Sequence, residues 1–280
     1  MGKSLIITEK PSVAQEFAKV LGVSGGRRDG YLENQKYVIT WCVGHLVAMV
    51  YPESYDIKYK KWKLEDLPFL PKEYKYDVIK DVSRQYDVVH GMLMREDIDR
   101  VYWAGDAGKE GQTIEENIRR FGGVRPGMKE LRVWIDSQTE EEILRGIREA
   151  KPMAEYDNLA KSGIMRTIED YAMGINFSRA MSVKYGKLLN DAAATKSYTA
   201  IAVGRVMTCV LGMVVRRERE IRAFVKTPFY RVLSSIALEG ENFEGEWRAV
   251  EGSRYFQTPY LYKENGFKEK AYACLLYTSP

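Results

Sequence analysis

Three carboxylates, Glu9, Asp106 and Glu110, have the residue types that phosphoryl chemistry needs. Carboxylate oxygens bind hard divalent cations, and such a cation can clamp a phosphate and neutralise the charge that develops on it. Carboxylates that lie close together repel one another unless a cation lies between them or one of them is protonated. A protonated Glu can act as a general acid. If these three side chains converge, they form a site for chemistry on a phosphate.

Each of the three acids follows a predicted strand or opens the helix after it. Residues 4–8 form a short apolar run that ends at Glu9, and residues 101–104 form another that ends just before Asp106. Ligands of open α/β sheets bind where the carboxyl ends of the strands meet, so the three acids can meet there if the two strands are neighbours. Alternatively, they are ordinary acids near helix N-termini, where the helix dipole favours negative charge.

The elements around these acids alternate between strand and helix. Further strands are predicted at 37–43 and 131–135, and a helix over 140–150 opens with capping-box spacing between Thr139 and Glu142. Such alternation predicts an α/β fold with a mostly parallel sheet.

Composition limits the kind of metal and excludes a nucleotide-binding loop. Only two histidines are present, so a His-rich metal site is excluded and a bound metal is a hard cation, which favours Mg²⁺. A P-loop has four residues between its glycines and a Ser or Thr after its Lys. Here Gly105 and Gly108 enclose two residues, and Glu110 follows Lys109.

The compartment can be inferred from what the chain contains. The cysteines, Cys42, Cys209 and Cys274, are odd in number and far apart, which indicates reduced thiols rather than disulfides or a zinc site. No apolar run reaches the roughly 18 residues of a membrane span, and the N-terminal apolar segment is too short for a secretory signal. The sequence predicts a cytoplasmic protein with no membrane association.

In the second half of the chain the pattern changes. Helical periodicity covers 156–189 and 202–221, and strand-like segments follow at 230–233 and 246–250. The stretch from Arg179 to Lys226 has ten Lys or Arg residues against three acids. Such a basic segment fits a surface that grips phosphates, although a solvated helix face would have the same composition.

Seven segments form an ordered series of motifs. They are Thr8–Ser12, Trp41–Leu46, Lys61–Pro68, Asp106–Gln112, Trp134–Ser137, Asp170–Arg179 and Val203–Thr208. Together they resemble successive blocks of type IA DNA topoisomerases of the topoisomerase III kind. The fourth is similar to the acidic motif of the Toprim domain, and the last two are similar to the family's DNA-gripping segments. The resemblance is dense from Ser4 to about Arg222 and thin beyond.

The resemblance implies an architecture and an activity. Residues 1–150 would form a Toprim (Rossmann-like) domain, residues 151–223 a mainly helical DNA-binding segment, and residues 224–273 the start of a β-rich segment. The family cuts one DNA strand through a tyrosyl phosphodiester, passes another strand through the gap and reseals it without ATP. The implied cofactor is Mg²⁺ and the implied partner is single-stranded DNA, whereas protein partners stay unknown.

The same resemblance implies roles for individual residues. Glu9 would lie beside the scissile phosphate, where it binds metal or passes a proton to the leaving sugar oxygen, and Lys10 would neutralise phosphate charge. Asp106 and Glu110 would hold Mg²⁺ with Glu9. The residues implied to contact the single strand are His45, Asp170, Arg179, Gly204, Arg205 and Thr208. Considered without the family, His45 is equally a packed loop histidine and Arg205 an exposed helix arginine.

The chain departs from the family pattern within the acidic motif. The usual Asp-x-Asp-x-Glu triplet has Gly108 in place of its second aspartate, and the last acid of the motif is replaced by Gln112. Metal affinity follows the number of charged ligands, so we expect weaker metal binding without loss of the site.

The nucleophile of the family is a second departure. It lies in a Tyr-x-Arg context, and none of the 19 tyrosines here has that context. Residues 274–280 are unlike the family and similar to translated adapter sequence, which predicts a non-native tail and truncation near Ala273. We expect the 280 residues alone to bind single-stranded DNA weakly and to form no covalent adduct.

Two other functions are compatible with the same residues. Another Toprim enzyme, such as a primase or a nuclease, would not require Arg179 or Arg205. A non-catalytic single-stranded DNA-binding module would have no acid-dependent metal site, so Glu9→Gln or Asp106→Asn would change nothing.

Overall fold

The computed structural model describes residues 2–24, 29–194 and 198–278. These residues form two compact units, one up to Val210 and one from Leu211. Among the described residues, no helix is both long enough and apolar enough to cross a bilayer.

The first unit contains a six-stranded sheet and a separate two-stranded antiparallel sheet. Its strands are β1 (Lys3–Thr8), β2 (Tyr31–Glu33), β3 (Tyr37–Trp41), β4 (Val47–Met49), β5 (Tyr76–Val78), β6 (Ile98–Ala104), β7 (Lys129–Arg132) and β8 (Lys151–Pro152). The order in the sheet is β2-β3-β1-β6-β7-β8, and β4 pairs with β5 outside it. The four strands β3, β1, β6 and β7 are parallel, and the edge strands β2 and β8 are antiparallel to their neighbours. The predicted mostly parallel α/β sheet is therefore confirmed.

Helices cover both faces of this sheet. They are α1 (Pro11–Val20), α2 (Ser83–Leu93), α3 (Lys109–Gly122) and α4 (Glu140–Arg148). Successive residues of a strand point to opposite faces. In β1, Leu5 and Ile7 accordingly pack with α2 and α3, whereas Ile6 packs with α1 and α4. This apolar strand is buried on both faces, which is why its sequence shows no alternation.

An excursion between β4 and β5 packs on the long helix α5 (Asp157–Ala192). It consists mainly of 3-10 turns at Pro52–Ser54, Ile57–Lys60 and Leu64–Asp66. The Asn176 amide on α5 receives a hydrogen bond from the N–H of Phe69 at 2.5 Å and donates one to its carbonyl at 3.0 Å. These paired bonds fix the excursion on the helix.

Three predicted features of the first unit are wrong. The strand predicted over 131–135 ends at Arg132, although the N–H of Val133 still bonds to the carbonyl of Trp103. The predicted capping box does not form, because Thr139 caps the helix without a side-chain hydrogen bond and Glu142 pairs with Arg145 instead. Helix α4 ends at Arg148, two residues earlier than predicted.

Helix α6 (Arg205–Arg222) runs from the first unit into the second. The second unit has strands β9 (Leu233–Leu238), β10 (Glu241–Glu246), β11 (Leu261–Lys263) and β12 (Gly266–Phe267), and helix α7 (Lys270–Thr278). The predictions of strands at 230–233 and 246–250 are wrong, because β9 and β10 form a hairpin around a turn at Glu239 and Gly240, both at positive φ. That turn fixes which residues pair.

The predicted non-native tail begins inside α7. Ala273, the predicted last native residue, packs in a small core with Tyr255 and Phe267. Residues 279 and 280 of that tail lie outside the described part of the chain. The domain boundaries and the tail therefore stay predictions.

Candidate functional site

The ends of two neighbouring strands bring Glu9 and Asp106 together. β1 and β6 pair in parallel with Thr8 opposite Ala104, so the residues that follow each strand emerge side by side at the carboxyl edge of the sheet. The N–H of Asp106 donates to Oε2 of Glu9 at 3.3 Å. The Glu9 carboxylate is 11% exposed and that of Asp106 is 52% exposed, so one is nearly enclosed and the other faces solvent.

The ammonium of Lys10 lies beside both carboxylates. Its Nζ atom is 2.8 Å from Oδ2 of Asp106 and 3.4 Å from Oε1 of Glu9. The hydrogen bond to Asp106 and the charges of both acids raise the pKa of Lys10 above its ordinary value. Two adjacent carboxylates repel each other, and here the charge of Lys10 offsets that repulsion.

Glu110 forms a separate pair at the same edge of the sheet. It lies in the first turn of α3, and its Oε1 is 2.8 Å from Nε2 of His45. The loop that carries His45 is bonded to the same sheet edge, because the N–H of Gly44 donates to the carbonyl of Glu9 at 3.4 Å. Across the described residues, no three His, Cys, Asp or Glu side chains are grouped so that they could hold a metal ion.

The donor set still fits a magnesium ion. Mg²⁺ is usually bound by one or two carboxylates, and water or substrate phosphate completes its octahedron. Glu9 and Asp106 provide two hard carboxylates around one positive charge, that of Lys10. A cleft of about 380 Å³, lined by Asp106, Asp136 and Ser137 among others, adjoins Asp106 and leaves room for a further ligand.

A buried layer beneath the acidic loop was missed by sequence reasoning. Arg132, at the end of β7, is fully buried and donates hydrogen bonds to the carbonyls of Gly105 and Asp106, both at 2.9 Å. Its partner is Glu115, which is 2% exposed. Burial raises the pKa of Glu115 to about 7, and Arg132 and the N–H of Gly105 oppose that rise. The available signal was an arginine in the otherwise apolar run 131–135.

The two predicted DNA-contacting segments lie against each other. Arg205 donates from Nε to Oδ1 of Asp170 at 3.0 Å and from Nη2 to Oδ2 at 3.1 Å, a two-pronged ion pair. That pair holds the pKa of Asp170 below its ordinary value. Gly204 and Thr208 lie beside it, joined by a backbone hydrogen bond of 2.8 Å.

Polar residues spaced by four along α5 hold the extended segment 198–204. Oγ of Ser178 accepts from the N–H of Val203 at 2.8 Å, and Oγ of Ser182 accepts from the N–H of Ile201 at 2.8 Å. One turn beyond Gly186, Asn190 accepts from the N–H of Thr199 at 2.8 Å. This spacing places all three acceptors on one helix face, a signal that sequence reasoning overlooked.

Arg179 lies in the wall of the same region and is 4% exposed. Its Nη1 donates to the carbonyl of Tyr59 at 2.9 Å, its Nη2 donates to Glu53 at 3.3 Å, and its guanidinium lies 5.2 Å from the ring centroid of Trp62. The arginine thus holds the excursion against α5. Beside it is a largely apolar groove of about 700 Å³, whose lining also includes Asp170.

The predicted site residues therefore fall into three groups. Glu9, Lys10 and Asp106 form one cluster, and His45 with Glu110 forms a neighbouring pair at the same sheet edge. The third set, which is predicted to contact DNA, lies on α5, at the end of the segment 198–204 and in the first turn of α6. Its members are Asp170, Arg179, Gly204, Arg205 and Thr208.

Comparison with known proteins identifies two family matches. Residues 4–137 match the Toprim domain, and residues 154–270 match a DNA topoisomerase family. The chain is 40% identical over 253 residues to DNA topoisomerase 3 of Bacillus cereus strain ATCC 14579, which covers 90% of this chain and 32% of that protein. It is 36% identical over 236 residues to DNA topoisomerase 3 of Bacillus subtilis strain 168, which covers 84% of this chain and 30% of that protein. The chain thus spans about a third of the length of these curated relatives.

Proposed function

Since the chain belongs to the type IA DNA topoisomerases and is of the topoisomerase III kind, we propose that it forms the metal-holding and DNA-holding part of a strand-passing enzyme. That enzyme breaks one DNA strand, passes another strand through the gap and rejoins the break without ATP. The observation that carries this proposal is the cluster of Glu9, Lys10 and Asp106 at the carboxyl edge of the sheet.

The proposed cofactor is Mg²⁺. Glu9 and Asp106 would hold it, and Glu110 would reach it by exchanging its contact with His45. The ion would neutralise negative charge on the phosphate. The ammonium of Lys10 lies between the two carboxylates, so a bound cation would displace it, and it would then be free to pair with a phosphate at the same edge.

Glu9 is the best placed residue to move a proton at the leaving sugar oxygen. Its carboxylate is nearly enclosed, accepts the N–H of Asp106 at 3.3 Å and lies 3.4 Å from the ammonium of Lys10, at the edge that the phosphate would approach. Lys10 would stabilise the charge that develops on the phosphate, as a mobile point charge. The nucleophilic tyrosine of the reaction would come from outside these 280 residues, since no tyrosine here lies in the Tyr-x-Arg context.

The proposed substrate strand lies along α5 and the segment 198–204. Arg205 can release Asp170 and fork onto a phosphate, because a guanidinium matches the geometry of two phosphate oxygens. Gly204 has no atom within 4 Å of the place where a Cβ would be, so a strand can approach its backbone closely. His45 and Thr208 remain proposed contacts of the same strand.

Arg179 also remains a proposed DNA contact, but only if it first breaks its present hydrogen bonds. Its guanidinium has to leave the carbonyl of Tyr59 and the carboxylate of Glu53 before it reaches a phosphate. The proposed partner is single-stranded DNA, and the proposed compartment is the cytoplasm.

The experiment tests a fusion protein. Residues 1–222 of this chain replace the corresponding segment of the Bacillus cereus DNA topoisomerase 3, and the rest of that protein follows. We expect the fusion to relax negatively supercoiled DNA in Mg²⁺ and to lose that activity with Glu9→Gln or Asp106→Asn. Asp87→Asn, an exposed acid on α2, is the matched control and retains activity. Nicking without rejoining would indicate a nuclease, and activity independent of Glu9 and Asp106 would contradict the proposal.

A further inference from the structure

A buried ion pair lies directly under the loop that carries Asp106. Nε of Arg132 is 3.2 Å from Oε2 of Glu115, and both side chains are at least 98% buried. Burial of two charges costs desolvation that apolar residues of similar volume would avoid, so such a pair is weak evidence for stability. Its role has to be sought in what it holds in place.

The pair fixes three backbone groups of two consecutive residues. Oε1 of Glu115 accepts from the N–H of Gly105 at 2.5 Å. Arg132 donates to the carbonyl of Gly105 from Nη1 and to the carbonyl of Asp106 from Nη2, both at 2.9 Å. The turn that presents the Asp106 side chain is therefore held from below at its N–H and at both carbonyls.

The fit between this turn and the helix below it is tight. A Cβ at Gly105 would lie 2.8 Å from Oε1 of Glu115, and a Cβ at Gly111 would lie 2.3 Å from the carbonyl oxygen of Asp106. Real Cβ atoms do not approach other heavy atoms so closely, so a side chain at position 111 would collide with the backbone of Asp106 and one at position 105 would displace the Glu115 carboxylate. The turn has little freedom to shift while Glu115 and Arg132 remain in place.

Gln112 shows why the charge of Glu115 matters. The Nε hydrogen of Arg132 is donated to Oε1 of Gln112 at 3.1 Å. Within the described residues, Oε2 of Glu115 has no hydrogen-bond donor, so it acts on Arg132 through its charge. An acid at position 112 would supply that charge directly. Here the carboxylate stands three residues later on the same helix face.

We propose that Glu115 and Arg132 are positioning residues that fix the Gly105–Asp106 turn and thereby hold the Asp106 carboxylate beside Glu9, where it binds a divalent cation. The cation part of this proposal rests on the proposed function. The fixation of the turn can be measured without any cation, so the two ideas can fail separately.

The experiment compares Glu115→Gln with Glu116→Gln in the 280-residue chain. Glu116 is also buried and paired, but with Arg119 and Arg120 rather than Arg132, so the control removes a similar charge from the same helix. Hydrogen exchange of the Gly105 amide is followed by NMR without metal, and Mg²⁺ binding is followed by calorimetry. Unfolding in urea reports the stability of each variant.

We expect Glu115→Gln to accelerate exchange of the Gly105 amide about tenfold. It should also weaken Mg²⁺ binding by at least about tenfold, a typical cost for an outer-sphere partner of a metal ligand. Glu116→Gln should leave both quantities within about twofold, because its side chain touches neither residue of the turn.

A second variant keeps the proposal testable if Glu115→Gln fails to fold. This double variant, Gln112→Glu with Glu115→Gln, exchanges the two side chains and places a carboxylate next to Arg132 again. We expect it to restore Mg²⁺ binding. Equal effects of Glu115→Gln and Glu116→Gln, or no rescue by the exchanged pair, would overturn the proposal. If the native chain binds no Mg²⁺ but the Gly105 amide responds as expected, the proposed function fails and the fixation of the turn stands.

Discussion

Replacement of Arg132 by Met tests how the acidic loop is supported. Methionine fills much of the volume of the arginine side chain but donates no hydrogen bond. In the native chain the fully buried guanidinium forms an ion pair with Glu115 and donates a hydrogen bond to Gln112. It also donates hydrogen bonds to the backbone carbonyls of Trp103, Gly105, Asp106 and Val133. Removal leaves buried acceptors without donors and a buried carboxylate without its counter-ion.

The free energy of unfolding that Arg132→Met loses has a constant part and a part that depends on pH. The carbonyls of Gly105 and Asp106 lose donors, and at about 1 kcal/mol each, with some loss of packing, the constant part is about 2 to 3 kcal/mol. The second part comes from Glu115, whose pKa burial raises to about 7 from an ordinary value of 4.5. Without Arg132, which lowers that pKa, it rises further.

Whether stability rises or falls with pH depends on whether the folded or the unfolded state binds more protons. A carboxyl with a raised pKa in the folded state binds more protons when folded, so stability falls as pH rises from 4.5 to its folded pKa. Native protein and variant share this fall up to about pH 7, where it ends for the native protein. For Arg132→Met it continues, so the stability difference should grow by up to about 1.4 kcal/mol per pH unit above that point.

Urea unfolding of both proteins at about pH 6 and about pH 8.5 measures this difference. We expect a loss of about 2 to 3 kcal/mol at the lower pH and a clearly larger loss at the higher pH. The double variant Arg132→Met with Glu115→Gln has nothing to titrate at this position, so this site should add no pH dependence to its own free energy of unfolding. A loss that is equal at the two pH values in the single variant would refute the reasoning.

Three further predictions address the cation site and the DNA surface. Lys10→Met removes the ammonium that competes with a cation, so calorimetry should show Mg²⁺ binding about two- to fivefold tighter, and weaker binding would contradict the competition. Gly111→Ala drives a Cβ into the backbone of Asp106, so it should cost about 1 to 3 kcal/mol of stability and weaken Mg²⁺ binding, whereas Gly91→Ala, with open space around its Cβ, should be neutral or slightly stabilising in the same urea and calorimetry assays. Arg205→Ala should weaken binding of a fluorescent single-stranded oligonucleotide and reduce the salt slope by about 0.7, and an unchanged slope in anisotropy titrations would remove this arginine from the DNA contact.

The convergence of Glu9 and Asp106 was accessible to sequence reasoning because it depends on strand ends. Each acid follows a short apolar run, and parallel strands present their carboxyl ends at one edge. The pairing of Glu110 with His45 was not accessible, because no pattern in the sequence indicates which loop lies beside the first turn of α3. The ammonium of Lys10 between the acids depends on side-chain geometry that spacing does not specify.

The burial of Arg132 and Arg179 could not be predicted from the sequence for a related reason. Arg132 lies in a predicted strand, and an arginine in a strand is by default expected to face solvent. Burial of Arg179 likewise depends on the excursion after β4, whose packing on α5 is long-range. In the C-terminal unit, a two-residue turn at positive φ shifted both strands from their predicted positions.

The central claim is that Glu9 and Asp106 form one cation site at the carboxyl edge of the sheet. A crystal of this chain soaked in Mn²⁺ tests it directly through anomalous scattering. We expect a peak about 2 Å from a carboxylate oxygen of each residue, with the Lys10 ammonium displaced from its position 2.8 Å from Asp106. A peak elsewhere, or no peak with the pairing of Lys10 and Asp106 intact, would contradict the account.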